Sequence, residues 1–141
     1  MKNEKGFTLI EVVIAMLLLG IIATGFLMAL SGATKAVIVA NKRTTAESLA
    51  RSQMEYVKNQ TYITAADGSE VIYRKITNIP DGYTILSVNR AGDTVDPIIG
   101  VPWDSQNNIP APTDVGLQRI KLVIKHNGKD IITLENYKVD R

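Results

Sequence analysis

The chain has 141 residues, 45% of them hydrophobic, with a formal net charge of +2, one His and no Cys. That length allows one domain of ordinary size plus a membrane helix. The composition excludes disulfides, thiolate metal sites and a cysteine nucleophile, argues against a zinc site with its single His, and gives no electrostatic case for nucleic-acid binding.

Residues 1–6 form a short charged leader, with Lys2 and Lys5 against Glu4, and residues 12–30 carry no charge. A bilayer core needs ~20 mostly apolar residues as helix, so residues 7–30 are long enough to span one. Glu11 sits just inside the apolar stretch. An ionised side chain there is costly unless it finds a partner, so it asks for a functional explanation. A secretory signal peptide cut after Ala33 is the competing reading. Its apolar region would be only ~7–15 residues, shorter than this one, and it would have no use for Glu11.

Residues 6–11 read G-F-T-L-I-E. This stretch resembles the processing site of type IV prepilins and type II secretion pseudopilins. The resemblance implies cleavage by a prepilin peptidase after Gly6 and N-methylation of the new terminus, Phe7, by the same enzyme acting as N-methyltransferase. It also implies that Glu11 is an assembly residue, pairing with the terminal amine of a neighbouring subunit. The physics is consistent, because an ammonium and a carboxylate attract strongly in a low-dielectric site and neither is tolerated alone. The bland alternative for Glu11 is a snorkelling charge at the bilayer surface.

The helix is expected to continue past Leu30. No Pro occurs before Pro80, and Ser31-Gly32 is the only soft spot. Gly20 and Gly25 each weaken the membrane half by ~1 kcal/mol relative to Ala, or serve close packing between helices. Ala46, Leu49, Ala50, Met54 and Val57 recur at spacings of three and four and mark one apolar stripe. Glu47, Arg51 and Glu55 lie on another, solvated face. One helix from Thr8 to Asn59 would be ~75–80 Å long. Residues 46–58 also resemble the PilV-like minor pilins and I-type minor pseudopilins, in which A-x-x-L-A-x-x-x-x-E-x-x-K recurs.

Beyond Asn59 the pattern becomes β-like. Residues 71–79 and 83–89 read as two strands in a hairpin-like pair, bounded by turns at Asp67-Gly68 and Asp81-Gly82. Residues 91–116, with four prolines, read as a long loop. Trp103 is expected to pin that loop onto the domain rather than contact a partner. Asp93, Asp96, Asp104 and Asp114 read as turn residues, since they lack the spacing of a calcium loop. Residues 120–139 read as a hairpin about Asn127-Gly128, a type I′ turn signal. Counting back from the turn pairs Lys125 with Asp130, Ile124 with Ile131 and Val123 with Ile132. Ile120, Leu122, Ile124 and Ile131 would then cover the helix stripe, and His126 would be exposed at the turn.

No catalytic constellation appears, so the chain reads as a substrate of processing enzymes and not as an enzyme, with no cofactor and no metal. Arg74, Lys75, Arg90, Arg119, Lys121 and Lys125 could form a basic strip, but a charged solvent face accounts for them and no nucleic acid is expected.

The expectation is therefore an α+β, pilin-like fold: a long N-terminal helix with a small antiparallel sheet on its second half. Residues 1–6 would be the leader, 7–30 the transmembrane and assembly helix, and 31–141 the amphipathic helix plus head. The resemblance implies a minor pilin or pseudopilin, anchored once in the cytoplasmic (inner) membrane with its head outside, then placed in a type IV pilus or type II secretion pseudopilus in the periplasm or at the cell surface. Implied partners are other pilin or pseudopilin subunits, the prepilin peptidase, an inner-membrane assembly platform and membrane lipid. Glu11 argues against the tip subunit, which in the resembling family tends to lack this acid. A major pilin and a non-polymerising single-pass membrane protein with an exported binding head are the alternatives.

Overall fold

The computed structural model describes residues 8–65 and 67–140. Helix α1 runs unbroken from Leu9 to Asn59. Among the described residues seven strands follow: β1 (Val71–Tyr73), β2 (Tyr83–Val88), β3 (Thr94–Val95), β4 (Ile98–Asp104), β5 (Ile109–Pro110), β6 (Leu117–His126) and β7 (Lys129–Val139). The architecture is the expected α+β one. By internal contacts the chain divides into two units, residues 1–40 and 41–141.

In the second unit the helix stripe is where periodicity put it. Ala46, Leu49, Ala50, Met54 and Val57 are all buried. They pack with Ile85, Ile98, Ile120, Leu122 and Ile124 from the sheet. The sheet is antiparallel in the order β1-β4-β6-β2-β3, with β5 on β4 and β7 on β6. β7 takes one edge of β6 along its length, so β4 and β2 share the other.

Four sequence expectations need correction. First, residues 91–116 are not a loop, because they contain β3, β4 and β5. β4 is buried at six successive positions, Ile98 to Trp103. A strand covered on both faces reads as an apolar run without alternation, and here Gly100 and Pro102 disguise it. Gly100 is a packing glycine: a Cβ there would lie 2.7 Å from both Tyr73 Cε2 and Gln118 Oε1. Trp103 is buried in this strand, as the pinning role requires, with the Arg119 guanidinium 3.6 Å above its ring.

Second, the strand expected over residues 71–79 stops at Tyr73. The backbone beyond is bound by glutamines instead. Arg74 N–H donates to Gln60 Oε1 (2.8 Å) and Ile76 N–H to Gln53 Oε1 (2.8 Å). β1 pairs with β4 and β2 pairs with β6 and β3, so the two do not form a hairpin.

Third, the terminal hairpin has the expected turn, with positive φ at Asn127 (49°) and Gly128 (78°), but a different register. Lys125 pairs with Asp130 as counted, while Ile124 pairs with Ile132 and Val123 with Thr133 across a bulge. The extra residue inverts the faces of β7. Without it Thr133 and Glu135 would face the core. With it Leu134 stands opposite Leu122 and Lys138 opposite Gln118.

Fourth, His126 is half-buried, not exposed. Its ring packs against Tyr83 with centroids 4.5 Å apart and planes tilted by 44°.

Candidate functional site: the amino-terminal helix and its anchor in the head

Gly6 and Phe7 lie outside the described residues. Thr8 begins the described chain, and its carbonyl accepts from Glu11 N–H (3.0 Å) and Val12 N–H (3.3 Å). Glu11 therefore lies in the first helical turn, where the helix dipole favours a negative charge by ~0.3–1 kcal/mol. It is exposed and makes no ion pair among the described residues.

Every large apolar side chain from Leu9 to Val39 is exposed. An 18-residue window of α1 has a mean hydropathy of 2.6, so the helix is long and apolar enough to cross a membrane. A helix apolar on all sides needs lipid or other helices around it. Its polar atoms suit that environment. Thr24 Oγ1 donates to the carbonyls of Gly20 (3.0 Å) and Ile21 (2.9 Å), and Thr34 Oγ1 to those of Leu30 and Ser31 (both 3.0 Å). The helix satisfies these hydroxyls itself, as a bilayer core demands.

Polar contacts that sequence reasoning missed tie the carboxyl half of the helix into the head. Gln53 lies inside the apolar stripe, fully buried, and its Nε2 donates to the Arg74 carbonyl (3.1 Å). Lys138 caps the helix terminus. Its ammonium donates to the carbonyls of Val57 (2.8 Å), Lys58 (3.0 Å) and Gln60 (2.5 Å) and stands 5.4 Å from the centre of the Tyr73 ring. Burial pulls the Lys138 amine below the usual lysine range, and the three carbonyls oppose that by favouring the ammonium. Nothing in the sequence around Lys138 marks it, because only the bulge turns it inward.

Asp114 gathers the segment after the helix. It accepts from Tyr62 Oη (2.5 Å), Ala65 N–H (3.1 Å), Gly116 N–H (3.0 Å) and Gln118 Nε2 (2.6 Å). Burial alone would raise its pKa, but the hydrogen bonds outweigh it and hold the carboxyl below its ordinary value. Burial, then the bond to Asp114, push the Tyr62 phenol well above its ordinary value. Gln118 Oε1 accepts from Tyr73 Oη (2.6 Å), which joins this group to the ring beside Lys138.

Several of the remaining loop acids and basic residues are held in local contacts. Asp104 accepts from Gln106 and Asn107, and Asp96 pairs with Lys75. Arg90 donates to the Gly68 and Ala111 carbonyls, Arg119 covers Trp103, and Lys125 pairs with Asp130 (3.2 Å). These cations serve separate local contacts.

The family model described as the prokaryotic N-terminal methylation motif matches residues 1–27, a stretch that includes Gly6, Phe7 and Glu11. No curated protein and no solved structure gives a significant match to the chain. The methylation motif and the long apolar helix fit an inner-membrane-anchored, single-pass protein of structural character. Together with the helix-plus-sheet architecture, the motif supports membership of the type IV pilin and pseudopilin family, processed by a prepilin peptidase.

Proposed function

We propose that the chain is a minor pilin or pseudopilin, cut after Gly6, N-methylated at Phe7 and assembled through its helix into a type IV pilus or type II secretion pseudopilus. Residues 1–6 are the leader, 7–30 the membrane and assembly segment, and 31–141 the amphipathic helix and head. The observation that carries this reading is the methylation motif on a helix whose apolar side chains are exposed on every face from Leu9 to Val39. In the cytoplasmic membrane lipid covers that surface, and in the fibre neighbouring subunits do.

Glu11 supplies the register. Cleavage creates an α-amino group on Phe7, and the Glu11 carboxylate of one subunit pairs with the amine of the next as lipid is left behind. The partners are other subunits, the processing peptidase and an inner-membrane assembly platform, and the role is structural, not catalytic.

Mass spectrometry of the chain from native membranes or sheared fibres tests the processing. The expected chain begins at N-methylated Phe7, and a chain beginning at Thr34 would overturn the proposal. For assembly, Glu11→Ala should insert into the membrane normally yet be lost from fibres. Fibre incorporation equal to the unsubstituted chain would refute the role of Glu11.

A further inference from the structure

β7 is an eleven-residue strand that pairs on one edge only among the described residues. The alternation of antiparallel bonding directs every second N–H to the open edge. Tyr137 N–H is one of these, because it donates to the Asn136 side chain (2.8 Å) instead of to β6. By period two, Thr133 and Glu135 are the others. Ile132 and Leu134, on the helix-facing side, remain only half-buried.

This edge has a built wall beside it. One recess of about 150 Å³ is lined by Glu47, Ala50, Arg51, Ile132 and Leu134. The next, of about 300 Å³, is lined by Arg51, Met54, Glu55, Lys58, Leu134 and Asn136. They share Arg51 and Leu134, so they form one groove between the flank of α1 and the open strand. Along that flank the charges alternate: Glu47, Arg51, Glu55, Lys58. The first two steps are four residues, ~6 Å, and the last is three, ~4.5 Å, while two strand residues advance about 6.6 Å. The charges on the helix therefore fall near successive same-side positions of a strand laid in the groove, with the closest match at Glu47, Arg51 and Glu55.

We propose that this groove docks an extended segment of a partner protein, which adds to β7 as a further antiparallel strand. β7 runs alongside α1 in the same direction, since Ile132 lies by Glu47 and Lys138 by the helix terminus. An antiparallel segment therefore meets Lys58 first, and its helix-facing residues read acid, base, acid, base at every second position. Main-chain bonds to Thr133, Glu135 and Tyr137 supply affinity, and the charge order supplies specificity. The same segment completes the burial of Ile132 and Leu134. The groove is built by residues 47–58 and 132–136 alone, so docking there does not depend on leader processing.

The test uses the full chain in detergent micelles and the blocked peptide TETKTETKT as probe. Amide hydrogen exchange at Thr133, Glu135 and Tyr137 should slow by at least roughly tenfold at saturation, a change equivalent to ~1.4 kcal/mol. A variant peptide with proline at alternate threonines keeps the charges but cannot pair and should give no protection. Arg51→Glu lies on the exposed face of the helix and should remove most of the effect without unfolding the head. Absence of protection by the first peptide, equal protection by the proline peptide, or full protection in Arg51→Glu would each overturn the proposal.

Discussion

Lys138→Met tests how the helix terminus is held in the head. Methionine keeps the apolar stem and removes the ammonium. The Val57 carbonyl retains a partner, because Gln60 N–H also donates to it (3.2 Å). The Lys58 and Gln60 carbonyls lose the contact that Lys138 gives them. Orphaned polar groups cost ~1–3 kcal/mol each, toward the lower end where water can reach them. Relief of the buried charge offsets part of this, while loss of the ammonium beside Tyr73 adds roughly 0.5–1 kcal/mol. The net expectation is a loss of ~2–3 kcal/mol. In a unit of this size 1 kcal/mol moves Tm by ~4–8 °C, so the variant should melt roughly 10–20 °C lower. Circular dichroism of the full chain in detergent during a thermal ramp measures it. A Tm within about 3 °C of the unsubstituted chain would refute the claim that the lysine carries the cap.

Asp114 makes the head acid-sensitive. Its folded pKa is depressed, so its contribution is fully present above the unfolded carboxylate value and is lost as pH falls through the folded one. Stability should be level from neutral pH to about 5 and then decline, and Asp114→Asn should lower the plateau and flatten that decline. An unchanged acid limb in urea titrations of the variant would count against this. Gln53→Leu orphans the Ile76 N–H, whereas the Arg74 carbonyl keeps its bond from Gln60 Nε2 (3.1 Å). The expected cost is ~1–3 kcal/mol by urea denaturation, and no loss would mean that water substitutes freely there. Gly68 has φ of 63°, and a Cβ on it would collide with the Pro112 carbonyl. Gly68→Ala should therefore destabilise the head by at least ~1 kcal/mol, and an unshifted denaturation midpoint would show that the contact yields.

The sequence by itself determined the elements whose cause is local. An apolar run without charge, proline-free chain to Asn59 and a stripe at spacings of three and four specify α1 and its buried face. Asn127-Gly128 specifies a turn because two successive positive φ values suit few other residues. The amino-terminal motif was legible for the same reason, since it is a contiguous run of residues that no contact in the head defines. Tertiary structure decided the rest. β4 was hidden because a strand buried on both faces shows no alternation, and its glycine is set by the ring of Tyr73 from another strand. Gln53 became structural only when the backbone at Ile76 came within reach. The largest consequence follows from one residue. The bulge at Ile131, opposite the Ile124–Lys125 step, turns Leu134 and Lys138 toward the helix, and no local propensity requires it. It is selected because the alternative register would bury Thr133 and Glu135 and leave the helix terminus without its lysine.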